Sequence, residues 1–381
     1  MPGEALLEHR PAYSSRNASA PPPLRGAVQL SLPRRSISDL STRIPLAKRA
    51  TRLVARTVGV PVAVATGWML RLSARQAGVA LMYHSVEGRA GDPMRELVPP
   101  HEARLFERQI RHVRRHYAIV PAEELQQAAR ARRRGRKFPV ALTFDDDLAC
   151  HATITLPILR RIGATATFFL SGASLERPFA FHYERLQRAF DEGVPDIAAL
   201  VTGIPGTTEP SRIHELGLML EMMTPADRDA AAARLGEVVG PDPLSAGIRA
   251  VQVRELADAG MTIGFHTFRH DSLTRLTDDQ LAQAMETGRD ALAEAAGVEI
   301  ATIGYPHGRA HERVAEAARG AGFRAGFTTR HDPVTRSSDP LLQGRVGPSR
   351  RSVGALALEL ILTLVKSERA RPSAAPTRQA L

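Results

Sequence analysis

The chain has 381 residues, enough to bury a substantial core as one large domain or two, and its 43% apolar and 24% charged content is ordinary for a soluble globular protein. A single cysteine, Cys150, excludes an intramolecular disulfide, and nothing argues for an oxidising compartment. The net charge of +11 would suit a nucleic-acid binder, but the excess is unevenly spread. Residues 1–75 hold roughly twelve Lys and Arg against about three acids, and 104–137 are nearly as basic, including Arg132-Arg133-Arg134. Interleaved aromatics and any zinc-finger or helix-turn-helix pattern are lacking, so no nucleic-acid partner is expected.

Residues 1–45, rich in Pro, Ser and Arg, read as a disordered basic arm. Residues 46–78 form a basic, apolar helical segment. Its core, Thr57 to Leu70, is about 14 residues, short of the roughly 20 that span a bilayer. Arg49, Arg52, Arg56, Arg71 and Arg75 bracket it, and either an interfacial helix or a helix packed on the body would fit. Met1 to Ser15 lacks the apolar run of a signal peptide, so the expected location is cytoplasmic, with peripheral contact at the inner membrane face open to the basic segment.

From Val79 onward, β-like runs alternate with helical ones. Strands are predicted at Val79–Tyr83, Val140–Phe144, Thr165–Leu170, Met261–Phe265, Thr302–Tyr305 and Ala325–Thr328. Helices are predicted at Arg104–His116, Ile154–Ile162, Val251–Ala259, Thr277–Ala296 and Glu312–Ala321. Thr277 with Gln280 makes a capping box, and Gly163 and Gly297 stop two of these helices. The alternation predicts an α/β fold, a distorted (β/α) barrel over 79–350. Residues 174–250 are too long for a simple connection and read as a helical insertion, with Tyr183–Phe190 and Ala226–Val238 as helices. A C-terminal helix and flexible tail fill 351–381.

In a parallel barrel the chemistry gathers at the C-terminal ends of strands. There stand Asp145-Asp146-Asp147, then His266 and His270, then Tyr305-Pro306-His307-Gly308. Three adjacent carboxylates repel one another, and buried ones need a cation or a proton to compensate. Two imidazoles at i, i+4 with one carboxylate can make an N2O site for a divalent ion. H-x-x-x-H alone is weak evidence in a chain with 13 histidines.

Taken together, T-F-D-D, H-T-x-x-H and Y-P-x-G resemble the motifs of the NodB-type polysaccharide deacetylases, carbohydrate esterase family four, over about Val79 to Val346. The resemblance implies a carbohydrate deacetylase acting on an N-acetylated (or O-acetylated) glycan or glycan precursor, and the basic N-terminal region would suit a lipid-linked sugar at the inner membrane face. It implies Asp145 as catalytic base and Asp146, His266 and His270 as ligands of a divalent ion, Zn²⁺ foremost, with Co²⁺, Ni²⁺ or Mn²⁺ as alternatives. Tyr305, Pro306, His307 and Gly308 would line the groove and its oxyanion position. Leu81 to Val86 matches a Tyr-His strand of one branch of the family, which makes His84 the expected general acid, with His331 as second choice. Phe181, His182, Tyr183 and Arg185 are candidates for contact with the sugar. Three departures stand out: Asp147 replaces the usual Gly, Gly304 occupies the place of an Arg that contacts the base, and the usual general-acid His motif is missing. They leave a catalytically degenerate glycan-binding barrel as the alternative.

Overall fold

The computed structural model describes residues 59–204 and 213–366. The basic arm 1–45, the start of the basic segment and the tail beyond 366 lie outside these residues. Helix α1 (Gly59–Arg71) precedes strand β1 (Ala77–Tyr83), helix α2 (Ala103–His116) and strand β2 (Pro139–Asp145). Next come α3 (Leu156–Ile162) and β3 (Thr167–Leu170). The insertion contributes α4 (His182–Asp191), α5 (Ile197–Thr202), α6 (Ile213–Met222) and α7 (Pro225–Val239). The alternation resumes with α8 (Ala250–Asp258), β4 (Thr262–Phe265), α9 (Asp278–Glu286), α10 (Arg289–Ala296) and β5 (Thr302–Gly304). It ends with α11 (Glu312–Gly320), β6 (Ala325–Phe327), β7 (Arg345–Val346) and α12 (Val353–Val365).

The sheet is curled and mostly parallel, in the order β1-β2-β3-β4-β5-β6. Its two edges are joined by one short segment. Gln343 exchanges backbone hydrogen bonds with Gly326 and Thr328 beside β6, and β7, two residues on, pairs in parallel with β1. This seam is what makes a barrel of the sheet, and it was not among the predicted strands. A two-residue strand has no periodicity to read.

The strands are buried on both faces, as parallel strands covered by helices must be, and so read as apolar runs. Tyr83, Phe106, Phe144 and Phe168 pack ring on ring with centroids 4.8–5.8 Å apart between β1, α2, β2 and β3. The insertion has its own apolar cluster around Leu186, Val201, Leu216, Leu220 and Leu235. Its helices therefore hold together independently of the barrel core.

One predicted helix is two. Thr277–Ala296 begins with the expected reciprocal cap, Thr277 Oγ1 accepting from the Gln280 N–H and Gln280 Oε1 from the Thr277 N–H. It then breaks at Thr287 and Gly288, where Gly288 has φ +82°. A Cβ there would stand 2.5 Å from the Phe268 ring, so the break also makes room for the loop that carries both histidines.

Helix α1 seats small residues against its neighbours. A Cβ on Gly59 would meet the Gly354 carbonyl of α12 at 3.1 Å, and Ala63 packs with Ala357 and Ile361. Beside it on α2, His112 is buried against His116 and Tyr117, ring centroids 4.7 and 6.5 Å away. Burial, with His116 and Arg115, pushes its pKa down to about 4 from an ordinary 6.5. The unfolded chain therefore binds this proton first, and stability is lost as pH falls from about 6.5 towards about 4. A His112→Gln variant should lose less between pH 7 and pH 5 in thermal melts than the parent, by about 2 kcal/mol for one such group. Parallel pH profiles of the two proteins would contradict this assignment.

Candidate active site

The end of β2 carries three consecutive carboxylates, all buried, and each is compensated by a different partner. Asp145 is gripped by Arg345 of β7 in a bidentate pair, Nη1 to Oδ1 at 2.6 Å and Nη2 to Oδ2 at 2.8 Å. Arg345 is itself fully buried and also donates to the Thr328 carbonyl and to Thr143 Oγ1. Burial pushes the Asp145 carboxyl up, but Arg345, with His266 and His84, outweighs it and holds the group below the ordinary carboxylate range. The Asp145 carboxylate is thus ionised and fixed.

Asp146 follows with φ +72°, and the chain stays in this strained region through its partners. Of the five non-glycine residues with positive φ among the described residues, four are here: Asp146, Thr267, His270 and His307. His151 steadies the turn, its Nε2–H lying 3.1 and 3.0 Å from the Asp145 and Asp146 carbonyls. Burial raises the Asp146 carboxyl, yet the neighbouring imidazoles of His266 and His270 bring it well below the usual range.

Asp147 turns away from the site. It accepts from the Ser171 N–H and hydroxyl at 2.7 Å each, and from the Ser174 hydroxyl at 3.2 Å. The third acid is therefore a brace between the ends of β2 and β3. The positive φ falls on Asp146, one residue earlier, so Asp147 needs no glycine-like conformation.

His266 leaves β4 with its Nδ1–H donating to the Gly304 carbonyl at 2.7 Å, which directs the Nε2 lone pair inward. His266 Nε2 and His270 Nε2 each lie 3.4 Å from Asp146 Oδ1, and that oxygen is buried without a hydrogen-bond partner in the structure. Three buried donors within 4.8 Å of one another, two imidazole nitrogens and a carboxylate oxygen, fit a divalent cation. Such a cation would satisfy the otherwise orphaned oxygen.

Gly304 cannot hold the missing arginine. A Cβ there would stand 2.8 Å from the Phe169 ring, and the guanidinium that covers this ring comes from Arg345. The charge expected of one strand is supplied by another. Sequence reasoning missed Arg345, and its only signal was position, shortly after the last predicted strand of the barrel.

These groups open into a cavity of about 400 Å³ lined by His84, Asp145, Asp146, His266, His270 and His307, among others. His84 Nε2 is 4.0 Å from Asp145 Oδ2, placing the preferred acid candidate beside the base. His331 lies elsewhere, 3.2 Å from Thr363 Oγ1 on α12, and does not line the cavity, contrary to the second choice of acid. The Tyr-Pro-x-Gly segment divides. His307 and Gly308 line the cavity, whereas Tyr305 and Pro306 are buried behind it. The Tyr305 hydroxyl donates to the Leu341 carbonyl and its N–H to the Phe327 carbonyl. Neither is free for an oxyanion.

The insertion reaches the site from two helices. His182 and Tyr183 of α4 line the cavity, and the Phe181 and Tyr183 rings lie 5.6 and 5.5 Å from His270. Arg185 instead pairs with Asp242 at 2.8 Å, within the insertion. Helix α6, not predicted, adds His214, Gly217, Leu218 and Glu221. Glu221 is tied across the cavity to Arg309 at 3.0 Å.

The family model for polysaccharide deacetylases matches residues 132–200 and 226–326, leaving part of the insertion out. The matched region belongs to the polysaccharide deacetylase family, and its enzymatic class is that of a deacetylase, a hydrolase. Among solved structures it is similar to the Streptococcus pyogenes deacetylase PplD in complex with acetate, at 18% identity, TM-score 0.51, covering 74% of this chain and 98% of that one. It is also similar to IcaB from Ammonifex degensii (18%, TM-score 0.49, 75% and 97%) and to a Bacillus cereus polysaccharide deacetylase (14%, TM-score 0.48, 74% and 69%). No curated protein matches the chain.

If Asp146, His266 and His270 are a metal site, the purified chain should bind one divalent ion per molecule in equilibrium dialysis. Asp146→Ala or His266→Ala should weaken that binding at least about tenfold. Unchanged affinity in either variant would reject the ligand set.

Proposed function

We infer that the chain removes the acetyl group from an N-acetylated sugar, borne on a glycan or a glycan precursor such as a lipid-linked intermediate. The observation that carries this reading is the adjacency of a fixed, ionised carboxylate to a buried Asp-His-His group in one cavity. A divalent ion held by Asp146, His266 and His270 would polarise the acetamide carbonyl and lower the pKa of water.

The residues of the chain divide the remaining work. Asp145 accepts the proton of the attacking water, and Arg345 keeps both its oxygens oriented while it does so. Before the reaction Arg345 keeps Asp145 deprotonated, and a neighbouring cation disfavours the protonated form. The proton therefore has reason to move on to the leaving nitrogen, and His84, 4.0 Å from Asp145, is placed to deliver it. Asp146 and the two histidines face the same cavity, so a carbonyl entering it meets all three. Tyr183 offers an aromatic face for the sugar and α6 an opposing wall.

Acetate release from N-acetylglucosamine oligomers tests the reading, with chelated protein and after addition of Zn²⁺ or Co²⁺. Release should be restored by metal and abolished in Asp145→Asn. Arg345→Lys keeps the charge but loses the fork, and should lower kcat by about 10- to 100-fold with less change in KM. Undiminished release from Asp145→Asn would sink the assignment of the base.

A further inference from the structure

We propose that the outer face of α1 docks this protein on an anionic lipid bilayer. The inner face of this helix is fully occupied: Gly59, Ala63 and Gly67 meet Gly354, Ala357 and Ile361 of α12. The outer face is apolar as well. Pro61, Val62, Ala65, Trp68 and Met69 of α1, with Leu72 one residue past its end, fall at i, i+1, i+4, i+7, i+8 and i+11, and all six are exposed. Val62, Trp68, Met69 and Leu72 are each more than half exposed, and Leu362 on α12 is too. Among the described residues the Arg71 guanidinium lies 4.7 Å over the Trp68 ring, yet Trp68 stays 60% exposed. Single exposed apolar residues are normal, but a continuous stripe that includes the sole tryptophan of the chain marks a surface that meets something apolar.

Charge decides what. At the C-terminal end of α1 the Gly135 N–H donates to the Arg71 carbonyl, which places the loop entering β2 directly against the helix. That loop exposes Arg133, Arg134, Arg136 and Lys137, and among the described residues no carboxylate pairs with any of them. Elsewhere on the surface arginines are commonly paired, as Arg111 and Arg161 are with Glu107. An apolar stripe bordered by unpaired cations complements a bilayer with acidic headgroups, apolar beneath and anionic at its surface. The geometry is that of a helix lying in the interface. At 13 residues α1 is about 20 Å long, and among the described residues no helix is long and apolar enough to cross a membrane.

Trp68 makes the test direct, because every tryptophan photon comes from this face. Full-length protein is mixed with vesicles of phosphatidylcholine alone, or with a quarter phosphatidylglycerol, and read by Trp emission and by flotation. Anionic vesicles should shift the emission to the blue and carry the protein upwards, and raised salt should weaken both. Met69→Asp with Leu72→Asp, and separately Arg133→Glu with Arg134→Glu and Arg136→Glu, should each reduce partitioning at least tenfold. Neither set touches the cavity, so acetate release from a soluble substrate and thermal melting should match the parent. Absence of both signals with anionic vesicles, or equal flotation with neutral ones, would overturn the proposal. So would a Trp68 already blue-shifted and shielded from acrylamide without lipid, or a dimer that dissociates in Met69→Asp/Leu72→Asp. Either of these last results would show protein on this face.

Discussion

The fold and the chemistry meet in the pair between Arg345 and Asp145. Taking both charges out of water costs several kcal/mol each, and only near-ideal geometry with every remaining donor satisfied makes that tolerable. Here the fork is bidentate, and the other guanidinium donors reach Thr328 and Thr143. The same residue sits on the short strand that joins the edges of the sheet. Closing the barrel and orienting the base are therefore one event. A chain that failed to seat β7 would lose the seam and leave Asp145 buried beside uncompensated acids.

Those acids show how environment gives different tasks to identical side chains. Asp145, Asp146 and Asp147 are consecutive and equally buried, yet they meet a guanidinium, two imidazoles and two serine hydroxyls. Along a strand, successive side chains point to opposite sides. The left-handed turn at Asp146 re-aims the next residue, so that the third acid faces β3 instead of the cavity. His151, held by both preceding carbonyls, keeps that turn in place. Like charges stay adjacent in sequence because each has a different principal partner.

The strands that deliver Asp145, Asp146, His266 and His307 were legible because buried parallel strands are apolar runs and polar residues end them abruptly. The features that the sequence concealed depend on closure or on close approach. Arg345 is one of 51 Lys and Arg on a two-residue strand, and only the curl of the sheet brings it to a residue 200 positions away. Gly304 looked like a lost arginine, although Phe169 leaves room for nothing larger. Tyr305 belongs to a motif yet spends its hydroxyl and its N–H on the backbone. Gly288 reads as a tolerated helix glycine, costing about 1 kcal/mol relative to Ala, because Phe268 cannot be seen beside it. Helix α6 is apolar on more than one side, which hid which side would face the site.

The two segments least like a plain barrel, the insertion and α1, serve opposite kinds of surface. The insertion has its own apolar cluster and so can stand above the strand ends without borrowing the barrel core. It turns Leu218 and Glu221 towards His307 and Gly308, making a walled cavity where the strand ends alone would leave an open rim. Ion pairs from Arg309 to Glu221 and from Arg228 to Asp271 fasten it across that rim, the second of them buried. Helix α1 does the reverse. Its glycines and alanines spend the inner face on α12, Leu70 is half-buried, and Val62, Trp68 and Met69 remain outside. A helix needed only to cover the barrel would place its bulk inwards, where burying a Leu or Met side chain contributes about 1.5–3 kcal/mol. Here the order is inverted, and the basic loop beside it lies at the strand ends opposite the cavity.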